Sequence, residues 1–188
     1  MFTCLKLPLA FDPAPLRAEV EALPPQAWTA HYNIRDYDGD WDGVALRSPA
    51  GTDGWLFPDM TGQRPYADTP TLGGLTACAQ ALSALQAPLQ MARLLRLRAG
   101  SSIREHSDDD LCFEQGLARL HVPVITDQAV IFRLDGEVVP MAPGDCWYIN
   151  ANRPHSVDNR ADIDRVHLVV DVEVNRWLTD LFAAAPSA

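Results

Sequence analysis

The chain has 188 residues, enough for one domain with a sizeable core. Apolar residues make up 47% and charged residues 21%, the balance of a globular protein and not of a disordered chain. The net charge of −10 argues against nucleic acid as a partner, and no apolar run approaches the roughly 20 residues that cross a bilayer.

The opening stretch MFTCLKLPLAFDP carries a lysine and no small-residue cleavage site, so it does not read as a signal peptide. Asp12-Pro13 is an N-cap followed by proline at the first helical position, and Leu16, Val20 and Leu23 then recur at helical spacing until Pro24-Pro25 ends the helix. WTAHYN and WDGVALRS read as short strands, and a Gly/Pro/Asp-rich loop follows over 49–70. Leu72, Leu75, Ala79, Leu82 and Leu85 mark a second helix, which Pro88 closes. From there the period becomes twofold: MARLLRLR, LARLHVPVI, AVIFRL, EVVPM, CWYIN and RVHLVVDVEV are strands, with Asp135-Gly136 as a hairpin turn. Strands bounded by turns over this length predict a sandwich or small barrel. NRWLTDLFAAA reads as a terminal helix, after which the last residues are expected to fray. The four cysteines, Cys4, Cys78, Cys112 and Cys146, form no C-x-x-C pair and read as reduced thiols of a cytoplasmic protein.

The segment GSSIREHSDDD sets one histidine against three acids. On a strand, His106 and Asp108 share a face while Asp109 points away, and their Cα atoms lie roughly 6.6–6.8 Å apart, within reach of one ion. A second histidine, His155, follows Arg153-Pro154 in APGDCWYINANRPHSVDN. Two histidines and one carboxylate make the facial triad of non-haem Fe(II) sites, which leaves open coordination positions. Zinc suits the same donors, although structural zinc usually has four protein ligands. The bland alternatives are an acidic surface loop for His106 and Asp108, and a turn residue for His155.

Arg165 opens an otherwise apolar strand, where its guanidinium either grips a carboxylate ligand or pairs with Asp162 or Asp164. Arg119 and His121 share a strand face; His121 is a third ligand, a co-substrate contact or a satisfied core histidine, and His167 carries the same ambiguity. Arg133 is either an exterior charge or a partner for a substrate carboxylate. Trp147 and Tyr148 have opposite parity, so only one can line a pocket.

Together, ARLLRLRAGSSIREHSDDD, LARLHVPVIT, GDCWYINANRPHSVDN and DRVHLVVDV resemble the aspartyl/asparaginyl β-hydroxylase family of 2-oxoglutarate- and Fe(II)-dependent oxygenases, whose small members include free-proline hydroxylases. The resemblance covers roughly residues 91–175 and extends weakly to WDGVALRS. It implies a mainly β fold, a double-stranded β-helix (jelly roll, cupin-like) with flanking helices. A single domain over 1–188 would then divide into a helical and edge-strand part over 1–90, a jelly-roll core over 91–175, and a C-terminal helix and tail over 176–188. His106, Asp108 and His155 fall on the family's metal positions, Arg165 on the arginine for the far carboxylate of 2-oxoglutarate, and Arg119 and His121 on a pair near that co-substrate. Asp108 departs from the animal aspartyl hydroxylases, which lack a carboxylate ligand, and places the chain nearer the proline-hydroxylase-like branch.

The implied activity is hydroxylation of an unactivated C–H with Fe(II), 2-oxoglutarate and O2, on an amino acid or on an Asp, Asn or Pro residue of a peptide; a lipid-linked acyl chain also stays open. Arg47, Arg133 and Trp147, with Arg35 as a further candidate, are expected at the substrate, and Trp41, Trp55 and the 49–70 loop as a lid or as rim and core aromatics. Two rivals share the fold: a cupin-type metalloenzyme without 2-oxoglutarate, and a non-catalytic jelly-roll binding module. Nothing in the sequence identifies an oligomeric state.

Overall fold

The computed structural model describes residues 2–185, so the expected fraying of the last residues concerns a tail outside the described residues. In chain order the first half contains β1 (Cys4–Ala10), α1 (Pro13–Ala22), β2 (Thr29–Ala30), β3 (Tyr37–Asp38), β4 (Trp41–Pro49), β5 (Tyr66–Asp68) and α2 (Thr76–Ser83). The second half contains β6 (Leu89–Leu97), β7 (Ser102–His106), β8 (Leu117–Ile125), β9 (Val130–Leu134), β10 (Glu137–Val138), β11 (Asp145–Ile149), β12 (His155–Asn159), β13 (Arg165–Glu173) and α3 (Arg176–Ala184).

The strands form two antiparallel sheets. The larger, of eight strands, runs β1-β11-β8-β13-β6-β4-β2, with β5 added on β4. The smaller, of five, runs β10-β9-β12-β7-β3. Pairing joins strands distant in sequence, which is the mark of the jelly roll.

Alternation divides the large sheet cleanly. Leu94, Leu120, Tyr148, Leu168, Val170 and Val172 face outward, where Leu16 and Val20 of α1, Leu82 of α2 and Leu178 and Phe182 of α3 cover them. Leu95, Leu97, Trp147, Ile149 and Val169 face inward and meet Ile103, Phe132, Leu134 and Val157 of the small sheet. Each face thus buries apolar area worth about 25 cal/mol per Å². The polar residues of functional interest are interleaved with the inward set.

The local signals explain the element ends. Asp12 accepts from the Ala14 amide at 3.0 Å and caps α1, and Asn175 does the same for α3 through the Leu178 amide at 3.0 Å. Asp135 and Gly136 both have positive φ, 50° and 81°, and turn β9 into β10.

Two expectations are corrected, and one strand is added. WTAHYN makes only the two-residue β2: one more bond follows, from the His31 amide to the Trp41 carbonyl at 2.8 Å, and β4 begins at Trp41, while His31 and Tyr32 join an aromatic cluster with Trp41 and Phe57. The second helix is shorter than 72–85: a single 3₁₀ turn over Thr71–Gly74 precedes α2, with the backbone freedom of Gly73-Gly74 interrupting the helix. CLKLPLA forms a full strand, β1, which the alternation of Leu5, Leu7 and Leu9 would have revealed. The 49–70 loop is a loop apart from β5, and it is pinned by the buried Leu56. No helix among the described residues is long and apolar enough to cross a membrane.

Candidate metal centre

His155 opens β12 and lies directly opposite His106, the last residue of β7. His155 shares its face with the inward Val157, so it points between the sheets. His106 reaches the same side by a different route. Ile103 is also inward, yet three positions separate it from His106, and simple alternation would send the histidine outward. The pairing shift between His155/Val157 and His106/Ile103 marks a β-bulge: three steps on β7 oppose two on β12. The extra residue flips the parity and re-aims His106 inward.

Asp108 lies beyond the end of β7, not on a strand as the alternation argument assumed. Its backbone amide donates to the Ala151 carbonyl at 2.8 Å, and this holds the turn against the segment leading to β12. One ligand atom from each of His106, Asp108 and His155 lies within 4.8 Å of the others. His106 and His155 each place Nδ1 on a backbone carbonyl, Arg104 at 2.8 Å and Arg153 at 2.9 Å. A ring nitrogen facing a carbonyl must be the N–H, so each Nε2 keeps its lone pair. Two oriented imidazole lone pairs and a carboxylate suit a divalent ion of the first transition row, and the three donors leave positions open for other ligands.

The electrostatics agree with that donor set. Burial, then the neighbouring His106 ring, brings the His155 pKa down to about 4, which keeps the ring neutral at ordinary pH. Burial by itself would raise the Asp108 carboxyl, but Arg119, with His155, His106 and Arg93 behind it, holds it below the usual range and ionised.

Opposite the three donors, the inward face of the large sheet carries a polar band. Arg165, His167 and Asp171 alternate along β13, while Arg119 and His121 alternate along β8. Arg119 donates from Nε and Nη2 to Asp171, at 2.7 and 3.0 Å, and from Nη1 to Asp108. Asp171 also accepts from Arg93 Nη2 at 2.5 Å, and Arg93 Nη1 reaches the Leu56 carbonyl at 3.1 Å. The sequence reading missed Arg93 and Asp171. Their signal was present, since Arg93 breaks an apolar strand and Asp171 shares the parity of Arg165.

Arg165 is 2% exposed and, among the described residues, meets no acid. Asp164, the salt-bridge alternative, pairs with Arg98 at 2.9 Å. Arg165 Nη2 instead donates to His167 Nδ1 at 2.8 Å, and Arg165 Nε and His167 Nε2 are buried without partners. Burial alone brings the guanidinium down to about 9, and burial with the Arg165 charge keeps His167 and His121 well below the ordinary histidine value. A guanidinium always donates, so His167 Nδ1 accepts and its Nε2 carries the proton. His121 Nδ1 lies 3.4 Å from the same acceptor and must donate to it. A buried cation with unused donors creates a demand for an anion.

The remaining candidates are placed less centrally. Trp147 is inward, opposite His121, whereas Tyr148 is outward with its hydroxyl accepting from the Phe113 amide at 3.0 Å. Arg133 alternates outward between the inward Phe132 and Leu134 and bonds the Gly136 carbonyl at 3.3 Å, so it is the exterior charge and not a pocket residue. Arg47 is spent on Asp68 at 2.6 Å and on the carbonyls of Tyr66 and Leu89, because β5 pairs beside it. Arg35 is exposed. Trp41 stacks on His31 at 3.5 Å, and Trp55 lies under Arg64. Two surface recesses, one lined by Gln26, Thr29 and Asp53 and the other by Trp28, Tyr37 and Arg98, include none of the three donors.

The two sheets form a jelly roll, a double-stranded β-helix, and bring two histidines and an aspartate together in a donor set that could hold a metal ion. The chain belongs to the aspartyl/asparaginyl beta-hydroxylase family, whose model matches residues 14–174. L-proline cis-4-hydroxylase of Rhizobium meliloti (strain 1021) is 24% identical over 170 residues, covering 89% of this chain and 59% of that protein, so the chain spans less than two thirds of its relative. An oxidoreductase of the 2OG-Fe(II) oxygenase family from Burkholderia pseudomallei shares the fold, with a TM-score of 0.51 at 14% identity over 87% of this chain and 81% of that one.

Proposed function

We propose that the protein is a 2-oxoglutarate- and Fe(II)-dependent dioxygenase that hydroxylates an unactivated C–H bond. The observation that carries the reading is the pairing of an open two-histidine, one-carboxylate donor set with a buried arginine that lacks a counterion. His106, Asp108 and His155 would hold the ion. With iron there, the chemistry supplied is oxidation of the substrate by O2, coupled to conversion of 2-oxoglutarate to succinate and CO2.

The chain's own residues do the rest. Arg165 grips the far carboxylate of 2-oxoglutarate with the donors that the fold leaves unused. His121, on the neighbouring strand, shares the inward face and bonds the same His167 Nδ1 that Arg165 uses. The inward Leu95, Leu97, Phe132, Ile149 and Val169 exclude water, so that the oxidant meets the substrate and not solvent. A cupin-type metalloenzyme would have no use for Arg165 in this place, and neither would a binding module for an open donor set.

For the substrate, the proline hydroxylase relative supports a free amino acid, with L-proline first, while the family's description keeps an Asp, Asn or Pro residue in a peptide as the second choice. Trp147 lines the inward face available to it. Four free cysteines and a ferrous site fit a reducing cytoplasm.

The test is spectroscopic and then chemical. Protein with Fe(II) and 2-oxoglutarate under nitrogen should develop a visible charge-transfer band, which His106→Ala abolishes. In air it should release succinate, and a panel beginning with L-proline should show one product heavier by one oxygen atom. An unchanged iron spectrum on adding 2-oxoglutarate, with no succinate in air, would end the oxygenase reading.

A further inference from the structure

We infer that Asp171 is a positioning residue for the metal centre: clamped by Arg93, it fixes the plane of the Arg119 guanidinium, which in turn sets the Asp108 carboxylate toward the two histidines. The inference rests on His106, Asp108 and His155 being the metal ligands.

The three donors are not equally supported. His106 and His155 stand on paired strands, and each ring is oriented through Nδ1 by a backbone carbonyl. Asp108 stands in the turn after β7, with no ladder to hold it. Its backbone has the bond to Ala151, but among the described residues its side chain has one donor, Arg119 Nη1 on Oδ2. A carboxylate on a free χ1 and χ2 would lose rotamer entropy on binding an ion, so whatever orients Arg119 determines how well the third ligand is prepared.

Asp171 supplies that orientation. Its two oxygens take Arg119 Nε and Nη2, at 2.7 and 3.0 Å, in a two-point contact that fixes the guanidinium plane and therefore the direction of Nη1. Asp171 is 7% exposed and its strand neighbours are Val170 and Val172, so it has nowhere else to turn. Arg93, 4% exposed, holds the outer side of Asp171 at 2.5 Å and is itself tied to the Leu56 carbonyl at 3.1 Å. Charges alternate along the line Arg93, Asp171, Arg119, Asp108, and the Arg119 and Arg93 charges hold Asp171 ionised against its burial. The line crosses β6, β13 and β8 and ends on the turn after β7. It thus ties the rigid large sheet to the one ligand that the small sheet does not carry.

The experiment measures Co(II) binding to the metal-free protein, by calorimetry and by the visible Co(II) spectrum, with no turnover required. The set is wild type, Asp171→Asn, Asp108→Ala and the two combined. Asp171→Asn should weaken Co(II) about tenfold and move its spectrum toward that of Asp108→Ala, the size expected for loss of an orienting partner. In the Asp108→Ala background the same change should alter affinity less than about twofold, because Asp171 acts through Asp108. If Asp171→Asn does not fold, Arg93→Met/Asp171→Asn removes one charge of each sign and should show the same dependence on Asp108. Equal weakening in both backgrounds, or none in either, overturns the inference. A wild type whose Co(II) binding is indifferent to His106→Ala and His155→Ala overturns instead the metal site on which it rests.

Discussion

At the scale of single residues, Arg165 carries the sharpest consequence. Its charge is buried, and its polar neighbour is a neutral histidine, so among the described residues it is a cation with no opposite charge beside it. Such groups cost several kcal/mol, and exchange for an apolar residue of similar reach is often neutral or stabilising. Arg165→Met should therefore melt at or above the wild-type temperature in the absence of ligand. The rise in melting temperature that 2-oxoglutarate gives the wild type should vanish in the variant. A large loss of stability in the ligand-free variant would show that the arginine serves the fold and not an anion. The two histidines and Asp108 that the structure brings together stand out in the sequence through the family resemblance more than through their spacing. Arg93 and Asp171 were not singled out, because a buried ion pair between strands so far apart in sequence has no local signature.

At the scale of elements, the bulge in β7 decides the metal centre. His106 and Asp108 are not alternating residues of one strand, as their spacing suggests, because β7 ends at His106. Convergence comes instead from the odd step between Ile103 and His106, which turns the ring inward, and from the turn that folds Asp108 back against Ala151. Removing one residue tests this. Deletion of Glu105, an exposed position within the bulged segment, leaves two steps between Ile103 and His106, so plain alternation aims the ring inward without a bulge. The deleted protein should keep its β-rich circular dichroism and bind Co(II) within about tenfold of wild type, far from the loss in His106→Ala. A loss as large as that of His106→Ala would mean that the parity of this segment does not set the histidine's direction. The same scale accounts for WTAHYN: β2 can pair only as far as Trp41, the first residue of β4, where His31 still donates its amide to the Trp41 carbonyl at 2.8 Å and stacks on that ring at 3.5 Å.

At the scale of the whole molecule, the burial of histidines couples folding to pH. His31 is brought down to about 3 and His155 to about 4, in each case chiefly by burial, and burial also lowers His121 and His167. The unfolded chain takes up protons on these rings as pH falls through about 6.5, whereas the folded one resists. Their contribution to stability is thus complete above about 6.5 and declines as pH falls from there toward 4. Asp108 and Asp171, held low in the folded state, keep their contribution until more acid conditions. The metal-free protein should melt roughly 10–20 °C lower at pH 5.5 than at pH 7.5, as followed by calorimetry. A flat profile across that range would mean that the rings titrate freely in the folded state.

The sequence by itself determined which residues can form strands, where the hairpin and helix caps fall, and which side chains have the chemistry to hold an ion and an anion. These are properties of adjacent residues: propensity, period and donor type act within a few positions. The tertiary structure alone decided which of those side chains meet. His106 faces His155 because β7 pairs with β12 at a bulge, Arg133 and Arg47 are excluded by the face and the partners that pairing gives them, and Arg119 reaches Asp108 only where the two sheets close on one another. Sheet register is set by long-range packing of one hydrophobic face on another, and a shift of one residue reverses every side chain, so it cannot be read from any local stretch.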